Sequence, residues 1–201
     1  MEKRSSLTWK TMVLAALAGA GIGIGVGLIL TAGMGSDTVT VFQDGLHQQL
    51  RISYGQASRL YNLILILTAF IAARKYFGAG TVISALITGF AIDGTVALIG
   101  RFIVGFNLPG SILVFLAGQT LYAFSLAMLI RCQLGMNGLD SLIYVLQEKS
   151  GISYRRLRWG VDFLLTWMGW LLGGIFGIGT LISILTTGPL IDRFQQRRRV
   201  T

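Results

Sequence analysis

Residues 78–93 read GAGTVISALITGFAID, and residues 177–192 read GIGTLISILTTGPLID. Ten of these sixteen positions are identical at a constant separation of ninety-nine residues. Such agreement between two distant segments indicates an internal duplication. The identical residues of the first segment are Gly78, Gly80, Thr81, Ile83, Ser84, Leu86, Thr88, Gly89, Ile92 and Asp93.

Shorter matches extend the duplication through most of the chain. They place the first repeat at about residues 11–101 and the second at about residues 110–194. The matching pairs are Ile52-Ser53-Tyr54 with Ile152-Ser153-Tyr154, Gly33-Met34-Gly35 with Gly135-Met136-Asn137, and Asn62 with Asp162.

The composition is that of a protein embedded in a membrane. Hydrophobic residues make up 53% of the 201 residues and charged residues only 12%, whereas a soluble domain usually has about 25% charged residues. The mean hydropathy is +0.69. The net charge of +9 does not indicate nucleic-acid binding, because the basic residues cluster between apolar runs, as membrane topology requires. We therefore expect no nucleic-acid partner.

The scarcity of reactive residues excludes several kinds of site. Cys132 and His47 are the single cysteine and the single histidine, which excludes an internal disulfide and a Cys/His metal cluster. The sequence has no nucleotide-binding glycine loop and no nucleophile beside a base. We predict that the protein is not an enzyme and has no cofactor and no metal. His47 is interpreted as solvated, on the polar face of a short helix.

Six stretches approach the length of about 20 apolar residues that crosses a bilayer. With a cytoplasmic N-terminus, six spans place fourteen of the seventeen Lys and Arg residues in the cytoplasm. Five spans would put the arginine-rich tail outside, so we predict six spans with both termini cytoplasmic. The predicted spans are residues 11–32, 58–76, 79–100, 110–130, 158–175 and 178–194.

Each repeat contains three spans, an odd number, so the two repeats enter the membrane in opposite senses. The expected fold is an all-α polytopic membrane protein, one membrane domain over residues 1–201, with two inverted three-helix repeats. Inverted repeats occur in secondary transporters, which alternate between two states around a site near the bilayer midplane. The alternative is that the duplication only builds a stable bundle, because fold alone does not establish function.

A glycine-rich turn and a short helix follow the first span of each repeat. In repeat one the turn Gly33–Asp37 precedes a helix at 38–50, and in repeat two the turn Gly135–Asp140 precedes a helix at 141–149. Each short helix is either re-entrant, dipping into the membrane under the cover of protein, or interfacial, with its apolar face among lipid headgroups.

Polar residues mark the ends of these helices. Asp37 and Asp140 are predicted N-caps, because Asp accepts hydrogen bonds from the free amides of a first helical turn. Ser53 and Gln56 form a capping-box pattern that opens the second span.

Carboxylates inside a membrane are the first candidates for a binding site, because placing Asp near a helix centre costs about 2.5–3.5 kcal/mol on insertion scales. Asp93 is the most central of them, and Arg101 follows on the same face as a partner. Its role is either a substrate or proton site or a structural hydrogen bond to the opposite repeat. Asp162 lies four residues after Arg158, at ion-pair spacing. The candidate substrate- or proton-binding residues are Asp93, Asp37, Asp140, Asn62, Asp162 and Asn137.

Glycines are assigned to close helix packing and to turns. Alternate glycines from Gly19 to Gly27 give two overlapping Gly-x-x-x-Gly spacings in the first span, and Gly169, Gly173 and Gly177 repeat this spacing near the fifth. Small residues let helix backbones approach closely in lipid, so we predict helix contacts there. The predicted turn or hinge glycines are Gly33, Gly35, Gly135, Gly78, Gly80, Gly177 and Gly179.

The glycine turn with Asp after the first span, together with the doubled Gly-x-Gly-Thr and Thr-Gly-x-x-Ile-Asp segments, resembles the bacterial YczE/YyaS/YitT group of membrane proteins. The resemblance covers nearly the whole chain, and the doubled segments are its most specific part. It implies a bacterial plasma-membrane protein of about six spans. Export of small molecules is the activity that it suggests.

Two functions are consistent with the sequence. The first is a secondary carrier that exports a small solute by alternating access, with Asp93 coupling to protons or binding a cationic group. The second is a non-transporting accessory protein that scaffolds a biosynthetic or signalling complex through its basic inner surface. The expected partners are the lipid bilayer, an unidentified small-molecule substrate and, as a possible homo-oligomer, a second copy of the chain. The arginines of the scaffold hypothesis, which otherwise only set topology, are Arg155, Arg156, Arg158 and Arg197 to Arg199.

Overall fold

The computed structural model describes residues 9–72, 79–103, 107–131 and 138–196. This described part of the chain is all-α, as predicted, and contains eight helices. They are α1 (Trp9–Ala32), α2 (Thr38–Leu50), α3 (Tyr54–Ala72), α4 (Ala79–Ile103), α5 (Leu108–Arg131), α6 (Gly138–Ser150), α7 (Tyr154–Leu171) and α8 (Ile178–Gln196). Each predicted span and each predicted short helix corresponds to one of them.

Four of the helices are long and apolar enough to cross a membrane, and they are α1, α3, α4 and α5. The predicted spans 158–175 and 178–194 correspond to α7 and α8, which do not reach the same apolar length. Helix α7 carries three arginines and Asp162, and the apolar part of α8 is limited to Ile178–Thr187.

Helix α1 is the centre of a group of four helices. It packs against α4 and α5, and α5 packs against α8. The row of Gly19 and Gly23 faces α4. A Cβ on Gly19 would lie 2.8 Å from the Ser84 carbonyl oxygen, and a Cβ on Gly23 would lie 2.5 Å from the Thr88 carbonyl oxygen. We call α1, α4, α5 and α8 the glycine core.

A second glycine row on α1 faces α5. A Cβ on Gly25 would lie 2.9 Å from the Gly118 carbonyl oxygen and 2.8 Å from the Tyr122 amide nitrogen. A Cβ on Gly21 would overlap the Ser125 side chain. The two overlapping Gly-x-x-x-Gly spacings are therefore confirmed as packing surfaces, one for each neighbouring helix.

The glycine row predicted near the fifth span is wrong, because the helix ends inside it. Helix α7 ends at Leu171, Gly173 follows with a φ of 92°, and Gly177 directly precedes α8. Glycine adopts a positive φ at little energetic cost, so the chain can leave the helix at Gly173. Gly169 alone of the three packs as part of α7, since a Cβ there would lie 2.6 Å from the Phe42 amide nitrogen of α2.

The other four helices form a closed ring. Helix α2 packs on α3 and α7, and α6 also packs on α3 and α7. We call these four helices the ring bundle. One apolar cluster fills the ring, and its buried centre consists of Tyr61, Leu65, Leu139 and Ile143. The partly buried side chains around this centre are Val39, Phe42, Leu46, Leu142, Leu157, Val161 and Leu165.

Helix α2 is covered by protein on two sides. Its polar residues Gln43 and Asp44 are buried along with Val41. A helix lying flat among headgroups would keep its polar face in water. Protein therefore shields Gln43 and Asp44 of this short helix.

The glycine core and the ring bundle meet where α3 packs along α4. The equivalent pair of repeat two, α7 and α8, has no comparable packing among the described residues. The two repeats therefore differ in the packing of their second span on their third: the described residues pack together in repeat one but not comparably in repeat two.

The order of contacts along packed helices gives their relative directions. Helices α1, α2, α4 and α7 run in one direction, and α3, α5 and α8 run in the opposite direction. For the glycine core, the contacts are Gly19–Ser84, Gly23–Thr88, Gly21–Ser125, Gly25–Gly118, Gln119–Ser183 and Phe115–Gly179. For the ring bundle and its junction with α4, they are Gly55–Asp93, Arg59–Gly89, Phe42–Tyr61, His47–Tyr54, Thr38–Asp162 and Gly45–Leu172.

We expect Gly23→Ala to lower the thermal stability of the detergent-solubilised protein. Overpacking costs about 1–3 kcal/mol, which outweighs the preference of a helix for Ala over Gly, at most about 1 kcal/mol. Gly94→Ala on α4 is the matched control, because a Cβ there meets no atom within 4 Å. Equal unfolding temperatures for the two variants would contradict the close approach of α1 and α4.

Candidate functional site

A turn with two left-handed glycines leads from α1 to α2. Gly33 has a φ of 67° and Gly35 a φ of 96°, which confirms the predicted turn. Asp37 occupies the extended N-cap position, and its carbonyl oxygen accepts a hydrogen bond of 2.9 Å from the Val41 amide. The predicted N-cap position of Asp37 is therefore confirmed, and its carboxylate accepts the hydroxyl of Thr40.

Polar side chains of α2 and α7 meet beside this turn. The Thr38 hydroxyl donates to Asp162 Oδ1 at 3.0 Å, and Arg158 Nε donates to Asp162 Oδ2 at 3.0 Å. The predicted Arg158–Asp162 pair is therefore present. Because Asp162 also holds α2, it does more than form a surface salt bridge. We call Asp37, Thr38, Thr40, Arg158 and Asp162 the acidic junction.

The acidic junction changes the proton affinity of Asp37. Burial raises the pKa of the Asp37 carboxyl above its ordinary 3.8. The Thr40 hydroxyl, the backbone amides of Val39 and Thr40 and the positive charge of Arg158 oppose that rise. Two carboxylates face one guanidinium, so the junction carries an excess negative charge when both are ionised. Asp162 and Arg158 remain partly exposed, with 24% and 30% of their side-chain surfaces accessible.

The turn before α2 also packs on the turn before α8. The Gly179 amide donates to the Met34 carbonyl oxygen at 2.8 Å, and the Ser36 amide donates to the Thr180 hydroxyl at 3.2 Å. A Cβ on Gly35 would lie 2.8 Å from the Gly177 amide nitrogen. Two glycine turns that were predicted separately therefore form one joint between the repeats. Gly80 and Gly179 are each the second residue of a helix, of α4 and α8 respectively, rather than turn residues.

A further carboxylate, Asp44, lies on α2 and is only 1% exposed. Its Oδ2 accepts a hydrogen bond of 2.7 Å from the Ile175 amide, which ties the α7–α8 loop to α2. His47, one turn further along α2, is half-buried, with its Nδ1 against the Ile52 carbonyl oxygen and its ring stacked on Tyr54. The interpretation of His47 as solvated is therefore wrong. Helical spacing placed His47 on a polar face, but its ring is covered by Tyr54.

Asp93 lies apart from the acidic junction and is held at the start of α3. Ser53 Oγ donates to Asp93 Oδ2 at 2.9 Å, the Gly55 amide donates to Oδ1 at 2.7 Å, and Arg59 pairs with Oδ2 at 3.2 Å. Among the described side chains the ion partner of Asp93 is Arg59; the side chain of Arg101, the predicted partner, lies outside them. These hydrogen bonds are formed within repeat one and not to the opposite repeat.

The predicted capping box is confirmed at the same place. The Gln56 amide donates to Ser53 Oγ at 3.1 Å, and the Ser53 amide donates to Gln56 Oε1 at 2.9 Å. Ser53 therefore connects the start of α3 both to its own first turn and to Asp93.

Of the remaining candidates, Asn62 lies apart from the acidic junction, and the side chain of Asp140 lies outside the described ones. Asn62 Nδ2 donates to Ser58 Oγ of its own helix at 3.4 Å. Asp140 is the third residue of α6 and not its N-cap, because the helix begins earlier, at Gly138, which packs closely on Leu65. The candidates that lie outside the described residues are Asn137, Gly135 and Gly78.

The sequence reasoning missed a polar network inside the glycine core. Gln119 is 2% exposed, its Nε2 donates to Thr187 Oγ1 at 2.7 Å, and its Oε1 accepts the Ser183 hydroxyl at 3.1 Å. The sequence does contain a sign of this network. Gln119 is a polar residue within the apolar helix α5, and Ser183 and Thr187 lie one helical turn apart on α8. Both ends of the amide are satisfied, so this network fixes α8 on α5 rather than offering a vacant site.

In the part of the chain that the structure describes, no three His, Cys, Asp or Glu side chains lie close enough together to hold a metal ion. The chemistry available at the acidic junction is therefore that of carboxylates, hydroxyls and one guanidinium, which can bind and release a proton or a small cation.

The sequence matches, over residues 9–196, the model of a family described as a family of unknown function, DUF6198. Similar proteins include one named "Uncharacterized membrane protein YczE" from Bacillus subtilis, 26% identical over 161 residues, which are 80% of this chain and 73% of that protein. An uncharacterized protein of Haemophilus influenzae is 26% identical over 186 residues, 92% of this chain and 84% of that protein. Another from Bacillus subtilis, named "Uncharacterized protein YyaS", is 25% identical over 165 residues, 82% of each chain.

No solved structure matches the chain. The YczE and YyaS matches confirm that part of the resemblance, whereas the YitT part stays a prediction. Together with the four long apolar helices, the similarity to a named membrane protein indicates a helical, multi-pass membrane protein.

We expect Asp37→Asn to flatten the dependence of thermal stability on pH. In the native protein, the raised pKa means that Asp37 keeps a proton that the unfolded chain releases near pH 3.8. Stability should therefore fall as the pH rises from 3.8 through the raised pKa. Asparagine does not titrate, so the variant lacks this loss. The measurement is the unfolding temperature in detergent from about pH 4 to about pH 7.

Thr40→Val is the matched comparison, because the Thr40 hydroxyl lowers the pKa of Asp37. Its removal should shift the loss of stability to higher pH. Parallel pH curves for the native protein and both variants would show that Asp37 does not titrate in this range.

Proposed function

The chain belongs to the DUF6198 family, and we propose that it is a secondary carrier that moves a small cationic solute, or a solute coupled to protons, by alternating access. The observation that carries this proposal is the acidic junction. There, the start of α2 in repeat one contacts α7 in repeat two. Thr38, the residue after Asp37, donates its hydroxyl to Asp162.

The chemistry of the junction suits reversible binding of a positive charge. Two carboxylates compensated by one arginine leave a local excess of one negative charge, and burial makes that charge costly to keep without a partner. A proton on Asp37 or a cation between the carboxylates relieves the cost. The Thr38 and Thr40 hydroxyls rotate to suit either state, because a hydroxyl both donates and accepts.

The helix directions support the six-span, inverted-repeat arrangement on which alternating access rests. Helix α1 runs opposite to its repeat equivalent α5, α3 runs opposite to α7, and α4 runs opposite to α8. An inverted duplication requires this relation between the two repeats. In this arrangement both termini lie on one side, which the basic residues identify as the cytoplasm.

In the proposed carrier, two packed groups of helices move relative to each other. The glycine core and the ring bundle each contain two helices from each repeat, and each has its own apolar cluster. The acidic junction belongs to the ring bundle, and Asp37 at its edge follows Ser36, whose amide bonds to Thr180 of the glycine core. Movement of the ring bundle against the glycine core would therefore change the exposure of Asp37. The joint between Gly35 and Gly177 lies between the groups and serves as the hinge.

In this proposal Asp93 has a structural role and does not bind the solute. Ser53, Gly55 and Arg59 already occupy its carboxylate, so it positions α3 on α4 rather than binding the solute. We accordingly assign the coupling charge to Asp37 and Asp162.

We expect Asp162→Asn to reduce solute-coupled proton movement about tenfold or more. A hydrogen bond to a charged group is worth about 1.5–3 kcal/mol, and about 1.4 kcal/mol corresponds to a tenfold change in affinity. The measurement uses purified protein in liposomes with trapped pyranine, and a panel of amine-containing metabolites added on one side. Proton movement that depends on both the protein and one metabolite is the expected result.

Asp162→Glu is the control, because it keeps the carboxylate and should retain most of the coupled movement. Thr38→Val removes one hydrogen bond to Asp162 and should give an intermediate value. Coupled movement that persists in Asp162→Asn would remove the acidic junction from the mechanism. Absence of any coupled movement by correctly folded protein over the whole panel would favour the scaffold function instead.

A further inference from the structure

We propose that Asp44 is the anionic ligand of a binding site for a small monovalent metal cation such as Na⁺, between α2 and the loop that joins α7 to α8. Asp44 stands seven residues, about two helical turns, after Asp37, so this site is distinct from the coupling carboxylates of the acidic junction. In the proposed carrier the bound cation is the coupling ion. That role rests on the proposed function, whereas the binding of the cation does not.

The Asp44 carboxylate is buried with one of its oxygens unpaired. The residue is 1% exposed, and its Oδ2 accepts the Ile175 amide at 2.7 Å. Oδ1 is buried as well, and no described group donates a hydrogen bond to it. The Tyr54 hydroxyl faces the same carboxylate from the start of α3. A carboxylate that has lost its hydration without full replacement needs a further partner, because the burial of an uncompensated charge is costly.

The surroundings of Asp44 are negative. The Gly174 amide, next to that of Ile175, donates to the Gly169 carbonyl oxygen at 2.8 Å and closes the C-terminal end of α7. The carbonyl end of a helix carries a partial negative charge, which adds to that of the carboxylate. The described ion pairs, Arg59–Asp93 and Arg158–Asp162, leave Asp44 without a cationic partner among the described side chains.

Backbone oxygens gather at the same place. A Cβ on Gly174 would overlap the Val41 carbonyl oxygen and would lie 2.9 Å from the Gly169 carbonyl oxygen, and a Cβ on Gly45 would lie 2.7 Å from the latter. Hard cations prefer carboxylate and carbonyl oxygens, and unwound backbone at a helix C-terminal end is a setting in which transporters bind Na⁺. The described residues contain no group of three carboxylate, His or Cys side chains, so the single charge of Asp44 suits a monovalent cation.

His47 is the alternative source of positive charge. It stands three residues after Asp44 on the same helix. Its Nδ1 lies against the Ile52 carbonyl oxygen and its ring stacks on Tyr54, so the start of α3 already engages it. A metal cation and a proton on His47 have opposite pH dependences, because protonation of the histidine competes with the binding of the cation.

Thermal unfolding of the full-length protein in detergent tests this inference. The unfolding temperature is measured in increasing NaCl, KCl or LiCl, with the ionic strength held constant by choline chloride. A cation that binds only the folded protein raises the unfolding temperature as its concentration rises. We expect such a rise with at least one of the three metal cations. Equal unfolding temperatures in the metal salts and in choline chloride would overturn the proposal.

Asp44→Asn should abolish this cation-dependent rise, because an amide carries no charge. Asp44→Glu keeps the charge at a different distance and should increase the cation concentration that gives half of the rise, which provides the test should Asp44→Asn fail to fold. Asp162→Asn changes the acidic junction instead and should retain the rise. A rise that persists in Asp44→Asn, or that is lost only in Asp162→Asn, would place the cation elsewhere and overturn the proposal.

The same titration at about pH 5.5 and about pH 8, where histidine is mostly charged and mostly neutral respectively, separates the cation from a proton on His47. The rise should be at least as large at the higher pH. A rise that occurs only at the lower pH would contradict the proposed site.

These measurements need no solute, so they are independent of the transport assay. A cation-dependent rise that requires Asp44, in a protein that moves no solute, would support the cation site and remove its role in coupling. Solute movement by a protein without a cation-dependent rise would retain the carrier and overturn the cation site.

Discussion

Backbone contact along both faces of α1 is the interaction on which the rest of the structure depends. In lipid, apolar side chains gain little by leaving their surroundings, so helices associate where their backbones come closest. The glycine rows of α1 provide this approach to α4 and α5. Each neighbour then holds one further helix through polar groups: α4 holds α3 through Asp93, and α5 holds α8 through Gln119. The ring bundle is thus attached to a centre that is held together by close contacts between helix backbones.

The acidic junction and the joint between Gly35 and Gly177 are neighbours in sequence. In the proposed carrier, a change of charge in the junction therefore acts next to the contact between the two helix groups. The Ser36 amide bonds to Thr180 of the glycine core, and the next residue, Asp37, carries the carboxylate whose pKa is raised by burial. A change of charge on Asp37 alters the hydrogen bonding at the start of α2 one residue from the contact between the two groups. In the proposed carrier, the proton-binding carboxylate and the contact between the two groups are one peptide unit apart.

The sequence predicted the helices, the glycine rows of α1, the turn at Gly33–Gly35 and the capping box at Ser53, because each of these depends on local spacing. It did not predict which helix meets which, since lipid-facing and protein-facing apolar surfaces have the same composition. The burial of Asp44 was missed for this reason: helical periodicity separates polar from apolar faces but does not show which face α7 covers. Asp93 was recognised as costly in a membrane, but its partner depended on the tertiary approach of α3.

The shared core of the ring bundle has a consequence for biosynthesis. Its apolar centre combines Tyr61 and Leu65 of the first half with Leu139 and Ile143 of the second. When the first half has entered the bilayer, α2 has α3 beside it but neither α6 nor α7, so Asp44 has no amide from the α7–α8 loop and Thr38 has no carboxylate from α7. Helix α2 can therefore reach its final position only after α7 and the α7–α8 loop have been synthesised.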